Sequence, residues 1–149
     1  MILKKIPTLL VSLILIIGAS VESSTAPVII PNPVLAFTGQ TVSPIKGKKL
    51  TRYNFSVENF ADFPKELFAA APGLPPCGTN TKSSRTWLDF YDSTGKRLNG
   101  FCALREPAEL KAIWFDLESD VIPPSYVYIE LNDRQTNTKY KSNLAETTQ

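Results

Sequence analysis

"SSRTWLDFYDSTGKRLNGFCAL", residues 83–104, decides the fold of this chain. Trp87, Asp89 and Tyr91 alternate with Leu88, Phe90 and Asp92, and a period of two sends successive side chains to opposite faces of a strand. Ser93-Thr94-Gly95-Lys96 supplies a turn, and "RLNGFCAL" returns as a second strand, so the stretch reads as an antiparallel hairpin. If Asp92 faces Arg97, the register sets Leu88 opposite Phe101 and Trp87 opposite Cys102. That register predicts Trp87 and Cys102 on one face, packed as an aromatic beside a disulfide in the core.

The same alternation recurs on either side. In "TRYNFSV" (51–57), Thr51, Tyr53, Phe55 and Val57 form one face and Arg52, Asn54 and Ser56 the other. "VLAFTG" (34–39) reads as a first strand and "SPIKGKK" (43–49) as a turn-like connection. "WFDL" (114–117) is a short apolar segment, "SYVYIELND" (125–133) alternates cleanly, and "TKYKSN" (138–143) reads as a last strand. "FPKELFAAA" (63–71) and "EPAELKAIW" (106–114) each carry a proline near a helix start and can hold at most two turns. Six or seven short strands, one or two short helical inserts and no long crossover helices predict an all-β fold. The specific expectation is an antiparallel β-sandwich of immunoglobulin or fibronectin-III type over residues 34–143, with 144–149 as a flexible tail.

The N-terminus has a different character. Lys4 and Lys5, the apolar run Ile6 to Ile17, and the small residues Ala19 and Ser20 follow the plan of a signal peptide over residues 1–20. As a helix that apolar run would cover roughly 18 Å of a hydrocarbon core about 30 Å thick, so no stable membrane span is expected after signal cleavage. Prolines 27, 31 and 33 mark residues 21–33 as an extended tether. Removing the leader leaves fourteen basic against fourteen acidic residues, with no like-charge run beyond "KGKK" at 46–49, which argues against a nucleic-acid partner. The expected destination is secreted or periplasmic.

An exported chain with two cysteines, Cys77 and Cys102, predicts a disulfide between them. Closing that loop is worth about 3.5 kcal/mol in the chain-entropy model. A thiol nucleophile would need a base, usually histidine, and the sequence has none. No phosphate-cradling glycine loop, zinc-binding helix or nucleophile elbow is present, and no cofactor or metal is expected.

What remains for catalysis is carboxylate chemistry by Asp89, Asp92, Asp116, Glu118 or Asp120, the basis of a second alternative, a carboxylate-dependent hydrolase. The same residues raise the question of calcium, although neither Asp89/Asp92 nor "FDLESD" (115–120) matches a calcium-binding loop. "NFS" at 54–56 is a glycosylation sequon on Asn54 or an ordinary polar strand face.

"PGLPPCGTN" (72–80) is the candidate binding loop, with Leu74, Pro75, Pro76, Thr79 and Asn80 as its contact residues. Prolines beside a disulfide lower the entropy lost on capture, or they merely route the chain between sheets. The leading reading is a non-enzymatic exported sandwich that binds an unknown protein or surface ligand, or has a structural role in an envelope or extracellular assembly. The first alternative is an inhibitor or ligand-binding module using the 71–80 loop.

"LPPCGTNTKSSRTWLDFYDSTGKRLNGFCAL" (74–104), "WFDL", "PPSYVYIELNDR" (123–134) and "YKSN" (140–143) together resemble a group of small secreted β-rich proteins with no assigned activity. The resemblance spans residues 53–143. It implies one compact exported domain and brings no cofactor or site residues with it.

Overall fold

The alternating stretches become strands in the computed structural model, which describes residues 29–45 and 47–148. The expected signal peptide and the first part of the tether, residues 21–28, lie outside the described residues. Strand β1 is Leu35–Ile45, β2 Lys48–Val57, β3 Thr86–Asp92, β4 Arg97–Phe101, β5 Ile113–Glu118, β6 Tyr126–Asp133, β7 Thr138–Lys141 and β8 Ala145–Glu146. All pairings are antiparallel, in one sheet ordered β1-β2-β5 and a second ordered β4-β3-β6-β7, with β8 also on β6. The helical inserts are short 3-10 turns at Phe60–Asp62, Lys65–Phe68 and Pro107–Lys111, the last opened by its proline. The chain crosses between sheets after β2, β4 and β5. This is the connectivity of an immunoglobulin-like sandwich whose fourth strand has joined the second sheet, the expected all-β class.

The inward faces come from the period-two sets. Tyr53, Phe55 and Val57 on β2, Ile113 and Phe115 on β5, Leu88 and Phe90 on β3, and Val127, Ile129 and Leu131 on β6 are all buried. Phe55 and Phe115 reach across to Phe90 of the opposite sheet, with ring centroids 5.4 and 5.7 Å away. Phe63, Leu67 and Phe68, from the β2–β3 connection, and Leu104 and Leu110, from the β4–β5 connection, extend this core.

Side-chain amides latch the two seams between the sheets. Asn99 of β4 donates through Nδ2 to the Trp114 carbonyl of β5 (2.8 Å). At the other seam, Asn143 accepts from Leu35 N (2.7 Å) and donates to Leu35 O (3.0 Å). Each latch satisfies edge backbone groups that no neighbouring strand reaches.

Several local expectations change. Leu88 does sit opposite Phe101, but an irregularity after Phe90 sets Tyr91, not Asp92, opposite Arg97. Trp87 is half-buried on the outer face, not in the core. The reason lies in its neighbours: Leu88 and Phe90 lie opposite Leu131 and Ile129, whereas the row of Trp87 and Asp89 lies opposite Asn132 and Glu130, which resist burial.

The stretch read as a turn at 43–49 is strand as far as Ile45, and strand again from Lys48. The expected tail instead contributes β8, with Ala145 and Thr147 buried. The end of the tether is anchored too. Asn59 donates to Asn32 O (3.0 Å) and accepts from Val34 N (2.8 Å), and Ile30 packs on the core.

Asp133, 1% exposed at the end of β6, is held by Arg85 through Nε (2.7 Å) and Nη2 (2.5 Å) and caps the β6–β7 turn through Gln135 N and Thr136 Oγ1. The Arg85 hydrogen bond is the main cause that lowers its pKa from 3.8 to about 2. A carboxylate lowered on folding stabilises the fold above its unfolded pKa and loses that contribution as pH falls through the folded one. The pair is therefore expected to contribute about 2 kcal/mol at neutral pH, a contribution that fades as pH drops from about 4 to 2. Urea unfolding across that range checks this, with Asp133→Asn expected to be less stable at pH 7 and flatter with pH.

Candidate functional site

The candidate loop leaves the Lys65–Phe68 turn through a zipped neck. Ala71 N donates to Ser83 O (3.2 Å) and Arg85 N to Ala69 O (2.8 Å), around an isolated bridge between Ala70 and Ser84. At the far end Cys77 and Asn80 exchange both backbone hydrogen bonds (3.3 and 2.9 Å). Gly78 takes a φ of 56° at the first position of this tight turn, a conformation that glycine adopts without steric cost. Asn80 Oδ1 then accepts from Lys82 N at 3.0 Å.

Two further attachments fix the loop to the sandwich. Cys77 is bonded to Cys102, just beyond β4, with Cα atoms 6.1 Å apart. Arg134, from the β6–β7 turn, donates through Nη2 to the Pro75 carbonyl (2.5 Å) and through Nη1 to Ser83 Oγ (3.4 Å). Its guanidinium also lies 3.8 Å from the centre of the Trp87 ring, a cation–π stack. Beneath that stack, Trp87 Nε1 and the cross-strand Asn132 Oδ1 are buried without a hydrogen-bond partner among the described residues.

The five expected contact residues thus belong to one tethered loop. Pro75, Pro76 and Thr79 are exposed, while Leu74 and Asn80 are half-buried. Arg134 and the outward Trp87 were not legible as parts of this site. Arg134 stands 59 residues from Pro75, and only the sheet register brings them together.

On the other side of the disulfide lies a groove of about 470 Å³. Phe101, Ala103, Leu104, Ala112 and Trp114 supply its apolar wall, Cys102 is part of its lining, and Glu109 is its one charged group. Phe101 and Trp114 meet edge to face at 4.8 Å, and the Trp114 carbonyl is the one that Asn99 holds. Loop and groove are therefore two sides of one structure, joined through Cys102.

The carboxylates considered for catalysis are dispersed, and most are engaged. Asp89 accepts from Arg97 Nε (2.7 Å) and Asn132 Nδ2 (3.0 Å). Gly100 makes room for this pair, since a Cβ there would lie 2.1 Å from Arg97 Nη2. Asp92 organises the β3–β4 turn through Thr94 Oγ1 (2.6 Å), Thr94 N (2.9 Å) and Lys96 N (2.9 Å). These hydrogen bonds, that of the Thr94 hydroxyl first, hold its carboxyl below the ordinary range.

On β5, Asp116 is gripped by Arg52 at 2.8 and 2.9 Å, and the same guanidinium lies 4.6 Å from the Trp114 ring centre. Glu118 and Asp120 share a shallow concavity with Lys48 and Lys49, and Glu118 pairs with Lys48. Among the described residues no three His, Cys, Asp or Glu side chains converge as a metal site requires, and no helix is long and apolar enough to cross a membrane. Asn54 lies half-buried in the central strand of the first sheet, its Nδ2 3.4 Å from Gly39 O at the β1 bulge.

No protein-family model matches this chain, and no curated protein or solved structure matches it. The loop geometry makes its own prediction. Replacing both cysteines by serine is expected to cost about 3.5 kcal/mol in urea unfolding, from loop-closure entropy. Thiol titration of the unfolded, unreduced wild type is expected to find no free thiol, and two titratable thiols would contradict the bond.

Proposed function

We propose that this chain is an exported, non-enzymatic binding module that engages a protein or a surface ligand through the 72–80 loop and the groove beside it. The observation that carries the reading is a loop held at its neck, its tip, its disulfide and its Arg134 contact, with Pro75, Pro76 and Thr79 still presented to solvent. A loop already fixed in shape loses little entropy on capture, so its contacts convert more fully into affinity. The inhibitor reading draws on the same rigid, exposed loop and differs only in the partner being an enzyme.

Export to a secreted or periplasmic destination is supported by the leader-like N-terminal segment and by a disulfide suited to an oxidising compartment. The hydrolase alternative is weakened because Asp89, Asp92, Asp116 and Glu118 each hold a turn or an ion pair, and because no histidine is available as a base.

Leu74→Ser with Thr79→Lys tests the loop while leaving Cys77 in place. Partner capture by crosslinking in culture medium or periplasm is expected to fall at least tenfold at an unchanged melting temperature, the scale of losing one central contact. Undiminished capture would sink the loop reading. Turnover in a hydrolase panel that disappears with Asp89→Asn or Asp116→Asn would sink the non-enzymatic one.

A further inference from the structure

The neck of the 72–80 loop also walls a second cavity. It measures about 500 Å³ and lies between residues 68–72, residues 81–84 and the Leu104–Arg105 step that follows the disulfide. Phe68 and Leu104, 1% and 6% exposed, belong to its floor, whereas Lys82 and Arg105 stand exposed at its rim. Ser84, buried in the same lining, spends its hydroxyl on Thr86 O (2.6 Å). The interior therefore offers a ligand mainly apolar contact, and its charge sits at the mouth.

That charge has one sign. Among the described residues, Lys82 and Arg105 are the only charged groups lining the cavity, and neither has a carboxylate partner. Arg134, likewise without a carboxylate partner there, reaches Ser83 Oγ of the same lining (3.4 Å). The nearby acids belong to other surfaces. Glu109 lines the apolar groove on the other side of Leu104, where its Oε2 accepts from Arg105 N (2.9 Å). Glu66 lines the concavity beyond residues 69–71 and follows Lys65 in the chain. Glu106 follows Arg105 without lining the cavity. Even with Glu106 and Glu109 counted against them, Lys82, Arg105 and Arg134 leave the neighbourhood with a positive excess.

We infer that this cavity binds a small apolar monocarboxylic acid, with its hydrocarbon tail on Phe68 and Leu104 and its carboxylate between Lys82 and Arg105. An apolar interior with a cationic mouth is the layout that an amphipathic anion fits. The tail leaves water, while the carboxylate stays at the rim against the N–H fork of an arginine and the point charge of a lysine. A volume of about 500 Å³ falls within the range of small-ligand pockets, so the site holds a whole small acid. It is separate from the loop tip and from the apolar groove, and it does not depend on the capture proposed above.

Amide NMR of the exported protein tests this with hexanoate as probe, titrated from about 0.05 to about 5 mM, the range in which so small a ligand binds. Saturable shifts are expected at the Ala70, Lys82, Ser83, Leu104 and Arg105 amides, and none at Ala112 or Trp114 in the groove. Hexanol and hexylamine keep the tail and change the charge, and both are expected to bind at least about tenfold more weakly. Lys82→Gln and Arg105→Gln remove exposed, unpaired charges and are expected to melt like the wild type. Each is expected to weaken hexanoate about fivefold, the scale of an ion pair at a solvated rim. Added salt is expected to weaken hexanoate on the wild type and to leave hexanol unchanged, which reads the same charge dependence without substitution.

Hexanoate that leaves the spectrum unmoved, that shifts the groove amides instead, or that binds no tighter than hexanol would each overturn the site. So would hexanoate affinity that neither glutamine variant changes. A short peptide ending in a free leucine carboxylate that binds here while hexanoate does not would replace the small acid with the end of a polypeptide, and would also overturn the inference.

Discussion

Phe55, Phe90 and Phe115 meet in the middle of the sandwich, one ring from each of β2, β3 and β5, and the placement of every surface feature depends on that meeting. Each buried ring is worth about 1.5–3 kcal/mol in transfer from water, and the contacts between rings add to that. Because a strand has a period of two, fixing Phe90 and Phe115 inward also turns outward the residues at odd spacings from them. Trp87 and Trp114 are thereby turned away from the core. Each lies beneath a guanidinium, that of Arg134 or of Arg52.

Those two outward tryptophans frame the end of the molecule where binding is proposed. Trp87 supports Arg134, which carries the carbonyl of Pro75, and Trp114 walls the groove with Phe101. The Cys77–Cys102 bond joins the loop on one side to the groove on the other. The core thus acts on function through geometry. It orients two aromatic side chains, and these set the positions of a loop and a pocket that share a single covalent link.

Much of this was legible in the chain itself. The alternation in 51–57, 86–92 and 126–131 reports half-buried strands directly, because each places apolar side chains at every second position. The disulfide followed from there being only two cysteines. Which face of the 86–92 strand turns inward was not legible, since Trp87 and Tyr91 are as apolar as Leu88 and Phe90. The choice is made by Asn132 and Glu130 on a strand more than thirty residues away.

The same limit explains the placing of Arg134 and the groove, which form only once β6 lies beside β3 and β4 meets β5 across the seam. It explains β8 as well. "LAETTQ" carries no strand pattern of its own, and Ala145 and Thr147 are ordered by the edge of β6 and by the Ser125 backbone.

On the proposed reading, the folded domain fixes the 72–80 loop before any partner arrives. Amide hydrogen exchange of the free protein tests this directly, through the Cys77 and Asn80 amides at the loop tip and the Ala71 amide at its neck. All three are expected to exchange far more slowly than an unstructured chain. Arg134→Ala is expected to accelerate the two tip amides while leaving Phe90 and Ile129 protected. Tip amides that exchange at the unprotected rate in the wild type would contradict a loop held in shape ahead of binding.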